Sequence, residues 1–145
     1  MISNFRGRYR FLSNFWPATV IFDDLTYPSV EHAYQAAKTY DKLLRRMIQE
    51  AETAGEAKKI GRNLVKLRSD WDFIRLEVME YLLRQKFNDP ELRKLLLSTA
   101  NEELVEGNTW CDVYFGVCYC KDHNGEGANV LGTLLMKIRT ELRHG

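Results

Sequence analysis

The sequence predicts a helix-rich α+β fold, a single domain over residues 1–145 with a small β portion. Three observations point there. Apolar residues recur at helical spacing from Ser29 to about Thr99 and again after Asn129, whereas β-branched runs are few and short. Hydrophobic residues make up 45% of the chain and charged residues 28%, a composition able to bury a core. No repeat, low-complexity tract or Pro/Gly/Ser linker interrupts the chain, so nothing in it marks a domain boundary.

The elements follow in order. Thr19-Val20-Ile21-Phe22 reads as a strand, Asp23-Asp24 as a turn and Thr26-Tyr27 as the returning strand. Ser29 can cap the helix that carries EHAYQAAK. Leu44, Met47, Ile48 and Ala51 mark the next helix. Thr53 and Glu56 form a capping-box pattern, and Gly61 suits the end of the helix they open. Ser69 or Asp70 starts a longer helix. Its apolar residues, from Phe73 to Phe87, cover most of its surface and predict a central buried element. Asp89-Pro90 opens another helix, running through Leu97. The stretch from Glu102 to Gly127 is irregular, with Leu104-Val105-Glu106 and Val113-Tyr114-Phe115 as candidate short strands. The last helix begins near Asn129 and shares Leu131, Leu134, Leu135, Ile138 and Leu142 on one face.

Charge and cysteine usage exclude several classes. The 21 basic and 20 acidic side chains leave a net charge of +1, which gives no support to a global nucleic-acid or membrane grip. A local positive pocket for a small anion stays open. Arginines break the N-terminal stretch, so it has no signal-peptide core, and no apolar run reaches membrane-span length. Cys111, Cys118 and Cys120 are odd in number and cluster late, which fits a reducing cytoplasm better than a disulfide framework. With His123 they could make a Cys3His zinc site. The spacing matches no standard finger and contains no C-x-x-C pair, so no metal is expected and the thiols are read as packed or free.

Glu31, Gln35 and Lys38 stand at i, i+4 and i+7, which puts an acid, an amide and an amine on one helical face. A carboxylate can stabilise an oxocarbenium-like centre or handle a proton. An amine can bind phosphate, or attack C1′ if burial lowers its pKa. The same spacing also fits a solvated helix surface with a dipole-favoured Glu31. Phe11, Ser13, Asn14 and Phe15 could stack on a base and read its edge, or form an aromatic core strand with a polar turn. Asp112, Phe115 and Gly116 combine an acid, a ring and a glycine in a loop, with Glu106 and Trp110 nearby; a turn aspartate reads the same way. Gly125-Glu126-Gly127 leads to Asn129, either as a phosphate-binding helix entrance or as a glycine turn with Asn129 as N-cap. His32 suits packing or solvent better than base catalysis. Trp71 could line a pocket or fill the core.

Taken together, the segments resemble the NADAR/YbiA-like family. The resemblance rests on Phe5-x-Gly7-x-Tyr9-x-Phe11-Leu12-Ser13-Asn14-Phe15 and Tyr27-Pro28-x-Val30-Glu31-His32-Ala33-Tyr34-Gln35-Ala36-x-Lys38. It continues through Ala57-Lys58-x-x-Gly61-Arg62, Trp71-Asp72, Val78-Met79, Lys86-Phe87 and Leu104-Val105-Glu106. Asp112-x-Tyr114-Phe115-Gly116 and Asn129-x-Leu131-Gly132-x-Leu134-Leu135-Met136 complete it. The resemblance implies an α+β fold without metal or cofactor, and action on N-glycosidic bonds of ribose derivatives. It implies a small-molecule partner: a ribosylamino-pyrimidine phosphate of riboflavin biosynthesis, or an ADP-ribose or NAD-type compound, including ADP-ribose on a nucleic-acid guanine. It implies Glu31, Lys38, Glu106 and Asp112 as polar pocket residues. Relatives usually carry tryptophan at the position of Phe115; phenylalanine keeps a stacking face without the indole N–H, which leaves the base preference open.

The expected reaction is hydrolysis at the ribose C1′, with Glu31 or Asp112 stabilising charge or activating water, and Lys38 anchoring phosphate or forming a Schiff base. The expectation is that these side chains meet in a single cleft. A non-catalytic ADP-ribose or NAD-binding module and a helical interaction protein are the alternatives. The sequence does not fix the oligomeric state.

Overall fold

The computed structural model describes residues 1–145, and the chain falls into two compact units. One comprises Asn14–Asp89; the other joins Met1–Ser13 to Pro90–Gly145.

The Asn14–Asp89 unit begins with a hairpin of β1 (Pro17–Phe22) and β2 (Leu25–Ser29), antiparallel with Phe22 opposite Leu25. Asp23 and Asp24 both take left-handed φ, 47° and 66°. Short polar side chains tolerate that conformation, and it matches the twist of a tight hairpin. The Gln85 amide completes the exposed backbone of β1: its Oε1 accepts from the Ile21 N–H and its Nε2 donates to the Ile21 carbonyl, both at 2.7 Å.

Helix α1 (Val30–Ala37) follows directly, with the Ser29 hydroxyl accepting from the His32 N–H. Its residues Val30–Ala37 are all buried, because α2 (Lys42–Gln49), α3 (Ala54–Arg62), α4 (Trp71–Lys86) and the hairpin all pack on it. The central element is therefore α1. Periodicity points to α4, yet α4 is two-faced: Val78, Met79, Leu82 and Leu83 are buried while Phe73 is 87% exposed. Gly61 falls in the last turn of α3, next to its final residue Arg62, although not as a left-handed cap, and it has a packing role as well. A Cβ built there would sit 1.9 Å from Gln35 Oε1 and 2.8 Å from Gln35 Cβ, so glycine is what lets α3 close onto α1. Arg45, only 6% exposed, ties α2 to the end of α1 by donating to the Ala36 and Thr39 carbonyls and to Asp23.

The other unit contains a 3-10 helix (Gly7–Leu12), α5 (Pro90–Ser98), the two-residue strands β3 (Gly107–Asn108) and β4 (Val117–Cys118), and α6 (Val130–His144). The segment around Phe11 is helical, not extended. Ile2 pairs with Leu104 as an isolated parallel bridge, and β3 pairs with β4 in parallel. Residues 113–115 form no strand: their carbonyls turn instead toward the start of α6. Leu131, Leu134, Leu135 and Ile138 bury the inner face of α6 as their spacing predicts. No helix is long and apolar enough to cross a membrane.

Candidate active site

In the Asn14–Asp89 unit the acid, amide and amine of α1 are assembled on one face. Glu31 is 8% exposed and Gln35 4%. Gln35 Nε2 donates to Glu31 Oε1 at 2.8 Å, so the amide fixes the carboxylate. The first turn is anchored from outside the helix, because the Glu31 N–H donates to the Asn14 carbonyl at 3.1 Å. Asn14 is itself buried; its Nδ2 faces the Met79 sulfur at 3.5 Å and its Oδ1 has no hydrogen-bond partner. A buried acceptor without a donor is uncommon, and Gln35 Oε1 shares that state.

Lys38 caps the C-terminal end of α1, half-buried, with its ammonium 5.7 Å from the centre of the Tyr34 ring. Burial pushes its pKa below the ordinary lysine value; the Glu31 charge opposes that shift, and Lys58 and Arg75 add to it. Three cations therefore share a field with one carboxylate. The Tyr34 ring packs at 5.0 Å against Trp71, which is 5% exposed and stiffens the face rather than presenting a ring to solvent. Phe15 is 45% exposed, and the Lys58 ammonium sits 5.8 Å over its ring. Arg75 is not among the residues that the sequence singles out, and Lys58 enters only through the family pattern, with no role attached to it. They stand on α3 and α4, and no local spacing links those helices to α1.

His32 is buried and bridges two segments. Its Nδ1 lies 2.7 Å from Ser29 Oγ and its Nε2 3.0 Å from the Ala51 carbonyl, so both nitrogens are engaged in packing the fold. An apolar groove of about 660 Å³ lies among Tyr40, Leu44, Ile60, Leu64 and Leu67, and none of the site residues expected from the sequence lines it.

In the other unit, Asp112 Oδ1 accepts from the N–H groups of Tyr114 (3.1 Å) and Phe115 (2.9 Å), which folds the loop around the acid. Asn108 Nδ2 donates to the Asp112 carbonyl and to Glu106 Oε2, and Asn108 Oδ1 accepts from the Asp112 N–H. The Phe115 ring meets Tyr114 edge-on at 4.7 Å. Gly116 is buried, and a Cβ there would lie 1.8 Å from Glu106 Oε2, so the carboxylate occupies the space glycine leaves. Phe11 is 5% exposed and belongs to the core, which corrects its assignment as a stacking ring. Ser13 is half-buried, with its N–H on the Arg10 carbonyl at the end of the 3-10 helix.

The entrance to α6 is already occupied by backbone. The N–H groups of Ala128, Asn129, Val130 and Leu131 donate to the carbonyls of Val113, Gly116, Tyr114 and Phe115. A phosphate there would have to displace four hydrogen bonds, so the glycine-led entrance serves the loop. Asn129, at φ 51°, makes no side-chain cap bond. Its amide instead accepts from the Glu106 N–H and donates to the Leu104 carbonyl. The three cysteines are free, as expected, and ligand atoms of Cys111, Cys118, Cys120 and His123 all lie within 4.8 Å of one another.

With this geometry in hand, comparison with known proteins places the chain. The NADAR domain model matches residues 3–143. The N-glycosidase YbiA of Escherichia coli is 41% identical over 138 residues, covering 92% of this chain and 82% of that protein. An N-glycosidase of Nostoc punctiforme is 36% identical over 141 residues, with 94% and 87% covered. A riboflavin biosynthesis protein of Vibrio vulnificus is 38% identical over 136 residues; the match spans 92% of this chain and 35% of that longer protein. The NMR structure of E. coli YbiA superposes with a TM-score of 0.80 at 37% identity, covering 99% of this chain and 86% of that one. The chain belongs to the NADAR family, with the helix-rich α+β fold of YbiA.

Proposed function

We propose that this protein is an N-glycosidase that hydrolyses the bond between a base and a phosphorylated ribose, with Glu31 and Lys38 as its reacting groups. The observation that carries the reading is the Lys38 amine, held below its ordinary pKa beside the buried Glu31 carboxylate with Lys58 and Arg75 in the same field. An amine shifted toward its neutral form is the better nucleophile, and burial with cationic neighbours is how proteins bring that about. The relatives named N-glycosidase support the same reaction class.

The chemistry runs as follows. The C1′–N electron pair leaves with the base, which takes up a proton. Glu31 stabilises the positive character that builds at C1′. The Lys38 lone pair captures C1′; one amine proton balances that taken up by the base, and the other passes to the ring oxygen as the C1′–O bond breaks to give an imine. Water then adds to C1′ and expels Lys38, so the net change is one water consumed and base plus sugar released. Lys58 and Arg75 supply positive charge for the sugar's phosphate. The Phe15 ring and the Asn14 Oδ1 acceptor suit the base and a sugar hydroxyl. Gln35 and Trp71 position the reacting face through Glu31 and Tyr34. Asp112, Glu106, Gly116 and Asn129 shape the loop that carries Phe115.

The substrate classes that fit are a ribosylamino-pyrimidine phosphate of the riboflavin pathway and an ADP-ribosylated guanine or NAD-type compound. Mass spectrometry of free base from a panel of these tests the reading. Borohydride added during turnover should trap a covalent sugar on Lys38. Release without a trapped adduct overturns the imine and leaves Lys38 as a phosphate anchor. Binding without release overturns the enzyme and favours an ADP-ribose-binding module.

A further inference from the structure

Cys111, Cys118, Cys120 and His123 are brought together by two stretches of chain. Cys111 sits in the loop after β3, Cys118 in β4, and Cys120 and His123 in the turn that follows. Their ligand atoms lie within 4.8 Å of one another. The Sγ atoms of Cys111 and Cys120 are 3.8 Å apart, and Cys120 Sγ is 3.1 Å from His123 Nδ1. Thiolates bound about 2.3 Å from a tetrahedral zinc ion are themselves about 3.8 Å apart. One edge of the required tetrahedron is thus already in place; the longest separation must shrink by about 1 Å, and the 3.1 Å Cys120–His123 pair must open by about 0.4 Å, to complete it.

The surrounding backbone forms a closed turn that directs one N–H at a sulfur. The Cys120 N–H points to Cys118 Sγ at 3.4 Å, which would offset negative charge on that sulfur. The turn is closed by His123 and Asn124 N–H groups on the Cys120 carbonyl and by Gly125 N–H on the Cys118 carbonyl. Cys111 is held at φ 69°, a backbone conformation that a cysteine rarely adopts and that aims its side chain back at the turn. Cys118 is fully buried, Cys120 and His123 are half-buried and Cys111 is exposed. The cluster is therefore anchored on one side and adjustable on the other.

We propose that these four side chains form a structural zinc site. Three soft thiolates and one imidazole select zinc over hard cations, and four protein ligands leave no open position for catalysis. Binding one zinc ion displaces the three thiol protons and leaves the site with one net negative charge. Cys111 immediately precedes Asp112 in the chain. The metal therefore staples the loop of Asp112, Phe115 and Gly116 to β4 and the turn after it.

The test uses the full-length, tag-free protein purified under reducing conditions from zinc-supplemented cells. Elemental analysis after dialysis against a weak chelator should find one zinc per chain. Replacement by cobalt should give the visible bands of a tetrahedral ion with a thiolate charge-transfer band. Cys111→Ser and His123→Ala change ligands that are not core residues, and each should weaken zinc binding more than about a hundredfold with the fold retained by circular dichroism. Protein that stays metal-free after reconstitution overturns the proposal, as does a Cys111–Cys120 disulfide found by mass spectrometry in place of metal. Binding that survives both substitutions overturns it equally.

Discussion

Replacing Gly61 by alanine should damage both the packing of α3 on α1 and the candidate site. The new Cβ would lie 1.9 Å from Gln35 Oε1, 2.7 Å from its Cδ and 2.8 Å from its Cβ. The amide end can swing away, but the Gln35 Cβ is fixed to the backbone of α1, so the two helices must separate. Overpacking against a backbone-fixed Cβ falls in the upper part of the usual range, about 2–3 kcal/mol, while alanine improves helix propensity by about 1 kcal/mol. The net loss should be about 1–2 kcal/mol, and for a chain of this size about 2–8 °C in Tm. The displaced amide also lets go of Glu31, so turnover should fall even at temperatures where the variant is fully folded. Urea unfolding of Gly61→Ala, Gln35→Ala and the double variant forms the assay. Gln35→Ala removes two of the three close contacts, so the double variant should be more stable than the sum of the singles by about 1 kcal/mol. Wild-type stability in Gly61→Ala, or strict additivity across the cycle, refutes the close-packing argument.

Other predictions concern charge and the loop. Lys86 is 1% exposed, and burial pushes its pKa down to about 7 from an ordinary 10.5. Between those values the unfolded chain holds a proton that the folded one lacks, so stability should rise with pH from about 7 to about 10.5. The rise is at most about 5 kcal/mol, and the full penalty is present below pH 7. Urea midpoints across that window should climb in the wild type relative to Lys86→Met; parallel curves contradict this. For Lys38, carbon NMR titration of its side chain should show a still lower pKa in Glu31→Gln and a higher one in Lys58→Met, because the two neighbours act with opposite sign. Asn129→Ala should destabilise the protein by about 2 kcal/mol by stranding the Leu104 carbonyl and the Glu106 N–H, with faster amide exchange at Glu106 as the readout.

Local signals are legible in the sequence wherever neighbours along the chain set the structure. The Asp23-Asp24 turn, the Ser29 and Thr53 caps and the α6 face all follow from residues within a few positions of one another. The Glu31–Gln35–Lys38 face is visible for the same reason. Tertiary effects are not. Gly61 reads correctly as close to a helix end, but its second role, making room for Gln35 of α1, shows only in the packing. Phe73 reads as core because periodicity cannot tell how wide a stripe its neighbours cover. Lys58 and Arg75 reach Lys38 from other helices, and the cysteines are joined by parallel pairing of β3 and β4, which no spacing rule anticipates.

The central claim is that one face of α1 performs the bond cleavage. Rapid-quench measurement of base liberated in a single turnover, with substrate saturating, addresses it directly for the wild type, Glu31→Gln and Lys38→Ala. Each variant should retain the wild-type circular dichroism spectrum while the cleavage step itself all but disappears. Cleavage at close to the wild-type rate in both would mean that the chemistry is done by other side chains.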